Sequence, residues 1–285
     1  MINRRRSLRG FAGNLLYSSF GNLMKTERVD SSKVDLDWED GHVFPQKPYP
    51  DVVFLYRRMN EVTLGKVAIA RGDTVLDIGC GRATDAITLA VEGGQCAGLE
   101  PSRKMLELAL EYIARDNAGL DLVQGTGEYL PFKSASFDRV ICKGALDHFP
   151  RPEQAIEEMA RVLKPRGKAI IAVTNFESLG FKLGRQLFRL IGIFSREKAK
   201  YRNVLLVPAD HTLKFDYSVL KKLVEPHLVI EQSTGVSLLF GIPFWGALLE
   251  RLPARVSLII LNTLDRLARH FPSASNVIVL KCHPR

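Results

Sequence analysis

The chain has 285 residues, 46% of them hydrophobic and 25% charged, with a formal net charge of +9; it exceeds one minimal domain yet fits a single elaborated α/β unit with a sizeable core. Its four cysteines, Cys80, Cys96, Cys142 and Cys282, include no Cys-x-x-Cys pair, which argues against a disulfide framework or a metal site and for reduced, buried thiols in a cytosolic protein. The cations are unevenly spread: residues 1–70 hold 11 basic and 8 acidic side chains, residues 71–174 hold 13 and 15, and residues 175–285 hold 16 and 8, so the excess gathers in the C-terminal part.

The chain opens on Arg4-Arg-Arg-Ser-Leu-Arg9, with no acid before Glu27. Such a start mimics a transit peptide or a twin-arginine signal, but Gly10-Phe-Ala-Gly-Asn14 is too broken for an apolar export core. Residues 1–50 are therefore expected to form a basic arm or a lid. Beyond them, apolar runs predict strands near 73–78, 95–100, 120–123, 138–142, 168–174, 228–234 and 276–282, with helical patterns between most of them. That alternation predicts an α/β fold with a doubly wound, seven-stranded, Rossmann-like sheet.

The first of these runs, Thr74-Val-Leu-Asp-Ile-Gly-Cys-Gly-Arg-Ala83, ends in an acid and two glycines. Glycines there let a ligand approach the main chain closely. Gly79-Cys-Gly81-Arg-Ala-Thr84 lacks the third glycine of a dinucleotide fingerprint, and Asp77 would repel a pyrophosphate. A nucleoside that carries cations and no phosphate suits the turn better. Glu100, at the end of the next run, is placed to accept hydrogen bonds from both ribose hydroxyls. The plainer alternatives are a turn-capping Asp77 and a solvated Glu100.

Between residues 70 and 175 the chain resembles the class I S-adenosylmethionine-dependent methyltransferases, in particular the ubiquinone and menaquinone C-methyltransferase group. The resemblance runs through Val75-Leu-Asp-Ile-Gly-Cys-Gly81, Glu100-Pro-Ser-Arg-Lys-Met-Leu106, Gly125-Thr-Gly-Glu-Tyr-Leu-Pro-Phe132, Ser136-Phe-Asp-Arg-Val140, Leu146-Asp-His-Phe149 and Arg161-Val-Leu-Lys-Pro-Arg-Gly167. It implies S-adenosylmethionine as cofactor and an antiparallel last strand. It also implies that Asp77 and the main chain of Gly79 and Gly81 hold the methionine end, Glu100 the ribose, and Met105 with Thr126, Gly127 and Glu128 the adenine, with Cys80, Pro101 and Lys143 further cofactor-binding residues. Two positions depart from the family pattern: Ala83 stands where glycine is usual, and Thr126 where aspartate is usual. Threonine is a weaker, uncharged acceptor for the adenine amino group, a loss that Glu128 could offset.

On this reading residues 51–175 form the cofactor-binding core, and 176–285 an acceptor-side lid, a helical insertion and the last two strands. Two segments give the acceptor side its character. In Phe181–Phe194, Lys182, Arg185 and Arg189 recur at helical spacing opposite Phe181, Leu187, Phe188 and Ile191, a basic amphipathic helix suited to a lid or an anionic membrane surface. From Gln232 to Leu249 no residue is charged, but Gly241, Pro243 and Gly246 interrupt a stretch already short of the roughly 20 apolar residues that span a bilayer. A greasy cap or an interfacial contact follows.

Methyl transfer demands alignment more than an invariant catalytic group. A base, if the acceptor needs one, would come from Asp147-His148 at the fourth strand end or from Asp210-His211. The function expected is methyl transfer to a small, apolar or lipid-linked acceptor by a cytoplasmic protein peripheral to the membrane, with contact through 181–194 and 236–262. The basic C-terminal part keeps RNA or protein methylation as an alternative, although no basic-aromatic RNA module and no Asn/Asp-Pro-Pro-aromatic tetrad is present, so nucleic acid is not the expected partner. Ala83 and Thr126 keep a third reading, an inactive cofactor-binding scaffold.

Overall fold

The computed structural model of the protein describes residues 37–38, 47–194 and 213–285. The basic start, His211 and its neighbour Asp210 lie outside the described residues. The helix α1 (Pro50–Val67) precedes β1 (Thr74–Ile78), α2 (Thr84–Val91), β2 (Gln95–Glu100), α3 (Arg103–Asp116), β3 (Leu120–Gln124) and β4 (Phe137–Lys143). After a 3₁₀ turn at Leu146–His148 come α4 (Pro152–Val162), β5 (Leu163–Thr174), α5 (Leu179–Phe194), α6 (Tyr217–Val224) and β6 (Leu228–Val236). Two helices, α7 (Trp245–Arg251) and α8 (Ala254–Ala268), are inserted before β7 (Val277–Pro284).

The strands form one sheet in the order β3-β2-β1-β4-β5-β7-β6. Neighbours from β3 to β5 are parallel, while β7 runs antiparallel to both β5 and β6. This is the seven-stranded, doubly wound sheet with a reversed last strand expected from the sequence. Alternate residues of each strand feed two cores. Leu76, Ile78, Val140, Cys142 and Ile171 pack under α4 and α6; Val75, Cys96, Leu122, Ile141 and Ile170 pack under α1, α2 and α3. Asp77 and Lys143 share the parity of Val75 and Ile141, so both point to the α1–α2 side.

Local signals account for the helix limits. Ser102 caps α3 by accepting from the Met105 N–H at 3.3 Å, and Asn117 ends it in the left-handed conformation at φ 47°. Pro152 opens α4, where its missing N–H costs nothing. The strand β5 begins at Leu163 and not near residue 168, because Phe137 pairs with Leu163 while Arg139 pairs with Lys168, so the segment around Pro165 bulges out of the ladder.

The sequence pattern did not predict α1. This helix lies across β5, β7 and β6 and against α7 and α8. Phe54 of α1 joins Leu249 and Leu261 in a third, small core, each side chain contributing roughly 1.5–3 kcal/mol by burial. The crossing of α1 and α7 is so close that a Cβ on Gly246 would stand 2.6 Å from Asp51 Oδ1 and 2.7 Å from Tyr49 Cβ, so alanine there would force the helices apart. No helix among the described residues is long and apolar enough to cross a membrane.

Candidate cofactor and acceptor site

The site forms at the carboxyl ends of β1, β2 and β4, where the strand order reverses and loops part to opposite faces of the sheet. Leaving β1, the backbone takes positive φ at Gly79 (68°), Gly81 (54°) and Ala83 (57°) before α2 begins. The Leu99 carbonyl accepts from the N–H groups of Gly79 and Cys80 at 2.8 and 3.1 Å, stitching the turn to β2. A Cβ on Gly79 would fall 2.4 Å from Ala145 Cβ, so the turn is packed as well as bent. Ala83 adopts the left-handed conformation that glycine reaches without cost, and its methyl is fully buried.

Glu100 is 5% exposed. Its Oε2 accepts from the Gly81 N–H at 3.0 Å and its Oε1 from the Ser102 N–H at 2.9 Å. A carboxylate has about four lone-pair sites, so each oxygen keeps a position for a ligand hydroxyl. Burial raises its pKa, and the two N–H groups pull the other way. Beside it the Met105 methyl lies 3.4 Å from where a Gly81 Cβ would stand. Gln124 ties down the Pro101 carbonyl.

Asp77 is 3% exposed and is pushed up to about 8, first by burial, then by Asp85; Lys143 opposes this, and Glu100 adds to it. Lys143 is engaged elsewhere: its ammonium lies 2.7 and 2.8 Å from the two Asp85 oxygens and 2.5 Å from Asn60 Oδ1. Asp77 is thus a buried carboxylate short of positive charge. The amino group and sulfonium of S-adenosylmethionine meet that deficit, and the spare lone pairs of Glu100 meet its ribose, so the residues present fit the cofactor.

Thr126 is buried. A Cβ on Gly127 would meet Phe149 at 2.5 Å. Glu128 turns toward α4, where its Oε1 accepts from the Arg151 N–H at 3.2 Å, a favourable place for a carboxylate at a helix start. Arg82 lies on Tyr112 of α3, with a 3.0 Å hydrogen bond to the phenol oxygen.

Asp147 (2% exposed) and His148 occupy the turn after β4. On α1, the phenol of Tyr56 is pushed up by burial and then by the charge of Asp147. The ring of Trp38 lies 5.7 Å from that of His148, and the Trp38 carbonyl accepts from Ser102 Oγ at 2.5 Å. Trp38 therefore touches both Ser102, next to Glu100, and His148 after β4. The sequence reading missed Tyr56, Asn60, Asp85 and Trp38. Tyr56 and Asn60 are four apart on one helix face, a signal that becomes readable only once α1 is known to be a helix.

Residues 76–171 match the family model described as Methyltransferase domain. The methyltransferase GfsG of Streptomyces halstedii is 35% identical over 120 residues, 40% of this chain and 42% of that protein. The ubiquinone biosynthesis O-methyltransferase of Vibrio atlanticus is 29% identical over 171 residues, 58% of this chain and 70% of that protein. The alignments with the first two curated relatives span about two fifths of those proteins, 42% and 39%. The crystal structure of YcgJ from Bacillus subtilis superposes with a TM-score of 0.54 at 20% identity, covering 80% of this chain and 99% of that one, a likeness of fold. The sheet order, the acids at the first two strand ends and the match over residues 76–171 converge: this part of the chain is similar to the methyltransferase domain, set in the sheet expected of class I S-adenosylmethionine-dependent methyltransferases.

Proposed function

We propose that the protein transfers a methyl group to a small, apolar or lipid-linked acceptor, with Asp77 and the main chain of Gly79, Cys80 and Gly81 binding the methionine end of the cofactor. Glu100 and Pro101 take the ribose; Met105, Thr126 and Gly127 line the adenine, with Glu128 braced against α4. Lys143, held by Asp85 and Asn60 on the α1–α2 side, balances the charge of Asp85 and leaves that of Asp77 to the cofactor. The observation that carries the reading is the buried pair Asp77 and Glu100 at adjacent strand ends, one short of a cation and the other with lone pairs to spare.

Bound there, S-adenosylmethionine supplies a carbon already activated for in-line displacement. The chain's own residues orient and desolvate. Reacting atoms need to be held about 3–3.5 Å apart, and Phe149 and Ala145 pack closely against Gly79 and Gly127, so they would leave little room for water beside a bound cofactor. We assign the acceptor side to Tyr56 and Asp147, which interact electrostatically. The raised phenol keeps its proton at neutral pH and can donate a hydrogen bond to an acceptor oxygen, while Asp147 can take a proton from it. Trp38 and His148 supply an aromatic wall.

Calorimetry with S-adenosylhomocysteine tests the cofactor half; absence of binding would sink the proposal. Labelled cofactor incubated with lipid and aqueous extracts tests the acceptor half: the label should enter the lipid fraction, and incorporation into RNA or protein instead would overturn that half alone.

A further inference from the structure

Of the fourteen large apolar side chains exposed among the described residues, seven fall between Phe244 and Phe271. They belong to the insertion that leaves the sheet at the end of β6. Because β7 is antiparallel to both β5 and β6, β6 runs parallel to β5, and its end opens on the same sheet edge as Ile78, Glu100 and Lys143. The exposed apolar surface therefore lies on the edge of the molecule that carries the pocket.

The helix α8 is two-sided. Ser257, Leu261, Asp265 and Ala268 are buried, with Arg58 donating to Asp265 at 3.0 Å and Ser257 Oγ to the Leu249 carbonyl at 2.6 Å. At 100° per residue the opposite side carries Arg255, Val256, Ile259, Thr263 and Arg266, with Leu267 at its margin. Ile259 is 65% exposed and Leu267 49%. Leu248 of α7, 51% exposed, adds to the same insertion. After Glu250 the sequence contains one acid, Asp265, and that acid is turned inward. An outward face with large aliphatic groups between arginines and no carboxylate matches an anionic lipid surface in both hydrophobicity and charge.

The other candidate, α5, is less suited. Its Arg185 bends back to Glu177 at 2.9 Å and to the Phe176 carbonyl at 2.8 Å, and Lys182 lies 4.0 Å from the same Glu177. Its cations are thus partly neutralised by the domain itself.

We infer that the outward face of α8, with α7 beside it, docks the protein on an anionic phospholipid bilayer. The docking presents the pocket edge of the sheet to the membrane, where an apolar acceptor would reside. This deepens the reading of a lipid-linked acceptor, and it is tested without catalysis.

The probe is co-sedimentation with phosphatidylglycerol–phosphatidylcholine vesicles against phosphatidylcholine alone. The wild type should pellet with the anionic vesicles and be released near 1 M salt, where the screening length is about 3 Å. Ile259→Asp, and separately Arg255→Glu with Arg266→Glu, should each lower partitioning by roughly tenfold. All three positions are exposed, and circular dichroism and binding of S-adenosylhomocysteine should stay as in the wild type. Equal partitioning of the wild type on both vesicles, no partitioning, or variants that pellet like the wild type would overturn the inference. A dimer in solution that Ile259→Asp converts to monomer would assign the face to a second copy of the chain and equally overturn it. Vesicle binding without cofactor binding would instead remove the methyltransferase reading and leave the docking surface standing.

Discussion

Removing the Lys143 ammonium, as in Lys143→Met, probes a buried ion pair of the pocket. Lys143 and Asp85 have side chains 15% and 6% exposed and meet at 2.7 Å. Deleting one partner of such a pair leaves a buried charge uncompensated, at a cost of about 3–5 kcal/mol. The residual exposure of Lys143 favours the lower end, and the lost bond to Asn60 adds about 1 kcal/mol, so Lys143→Met should destabilise by about 4 kcal/mol. Asp85→Asn keeps an acceptor for the ammonium and should cost about 2 kcal/mol. The double variant has neither buried charge, and replacing both members is often nearly neutral; it should lose no more than about 2 kcal/mol. The expected coupling is therefore about 4 kcal/mol, read from urea unfolding of the four proteins at pH 7 without cofactor. Additive losses would refute the view that Asp85 is the group whose charge Lys143 balances.

Glu100→Gln should weaken S-adenosylhomocysteine about a hundredfold by calorimetry, because a neutral amide loses the charge-assisted bonds to ribose; unchanged affinity would remove Glu100 from the ribose site. Gly79→Ala should destabilise by about 2–4 kcal/mol in denaturant titrations, since φ is 68° and the added methyl meets Ala145 Cβ at 2.4 Å. Asp77 gives a pH dependence. Its folded-state pKa near 8 lies above the ordinary 3.8, so its contribution is full below about pH 4 and is lost as pH rises through about 8. The cofactor-free protein should gain stability from this group between pH 8 and pH 6, and cofactor binding at pH 7 should release up to one proton, seen as buffer-dependent calorimetric heats. Heats independent of the buffer would contradict that. Once an acceptor is known, Tyr56→Phe should lower kcat by about 10²-fold and leave cofactor affinity unchanged.

The cofactor half was legible because its chemistry is local in sequence. Asp77 and Glu100 end apolar strands, the glycines follow at once, and parallel pairing places the two acids side by side. Asp85 reads as an ordinary acid in the first turn of a helix, and only the approach of β4 turns it into the partner of Lys143. Tyr56 and Asn60 were hidden because α1 carries a weak apolar stripe, its burial being shared among β5, α7 and α8. Glu128 shows the reverse: motif position suggested adenine, and packing gave it the Arg151 N–H of α4 to accept. The insertion was legible as uncharged and broken by glycine and proline. Its division into buried and exposed sides was not, since that depends on where α1 lies.

The four native thiols have a further consequence. Burial and nearby carboxylates hold Cys80 and Cys142 well above the usual thiol range, and burial is the main cause that pushes Cys96 and Cys282 up to about 12. At neutral pH almost none of them is thiolate, the form that alkylating reagents attack. The folded wild-type chain should therefore react only slowly with maleimides. A thiol introduced by Ile259→Cys would be its most reactive sulfur, and a polarity-sensitive dye attached there would sense directly whether α8 faces water, lipid or another protein.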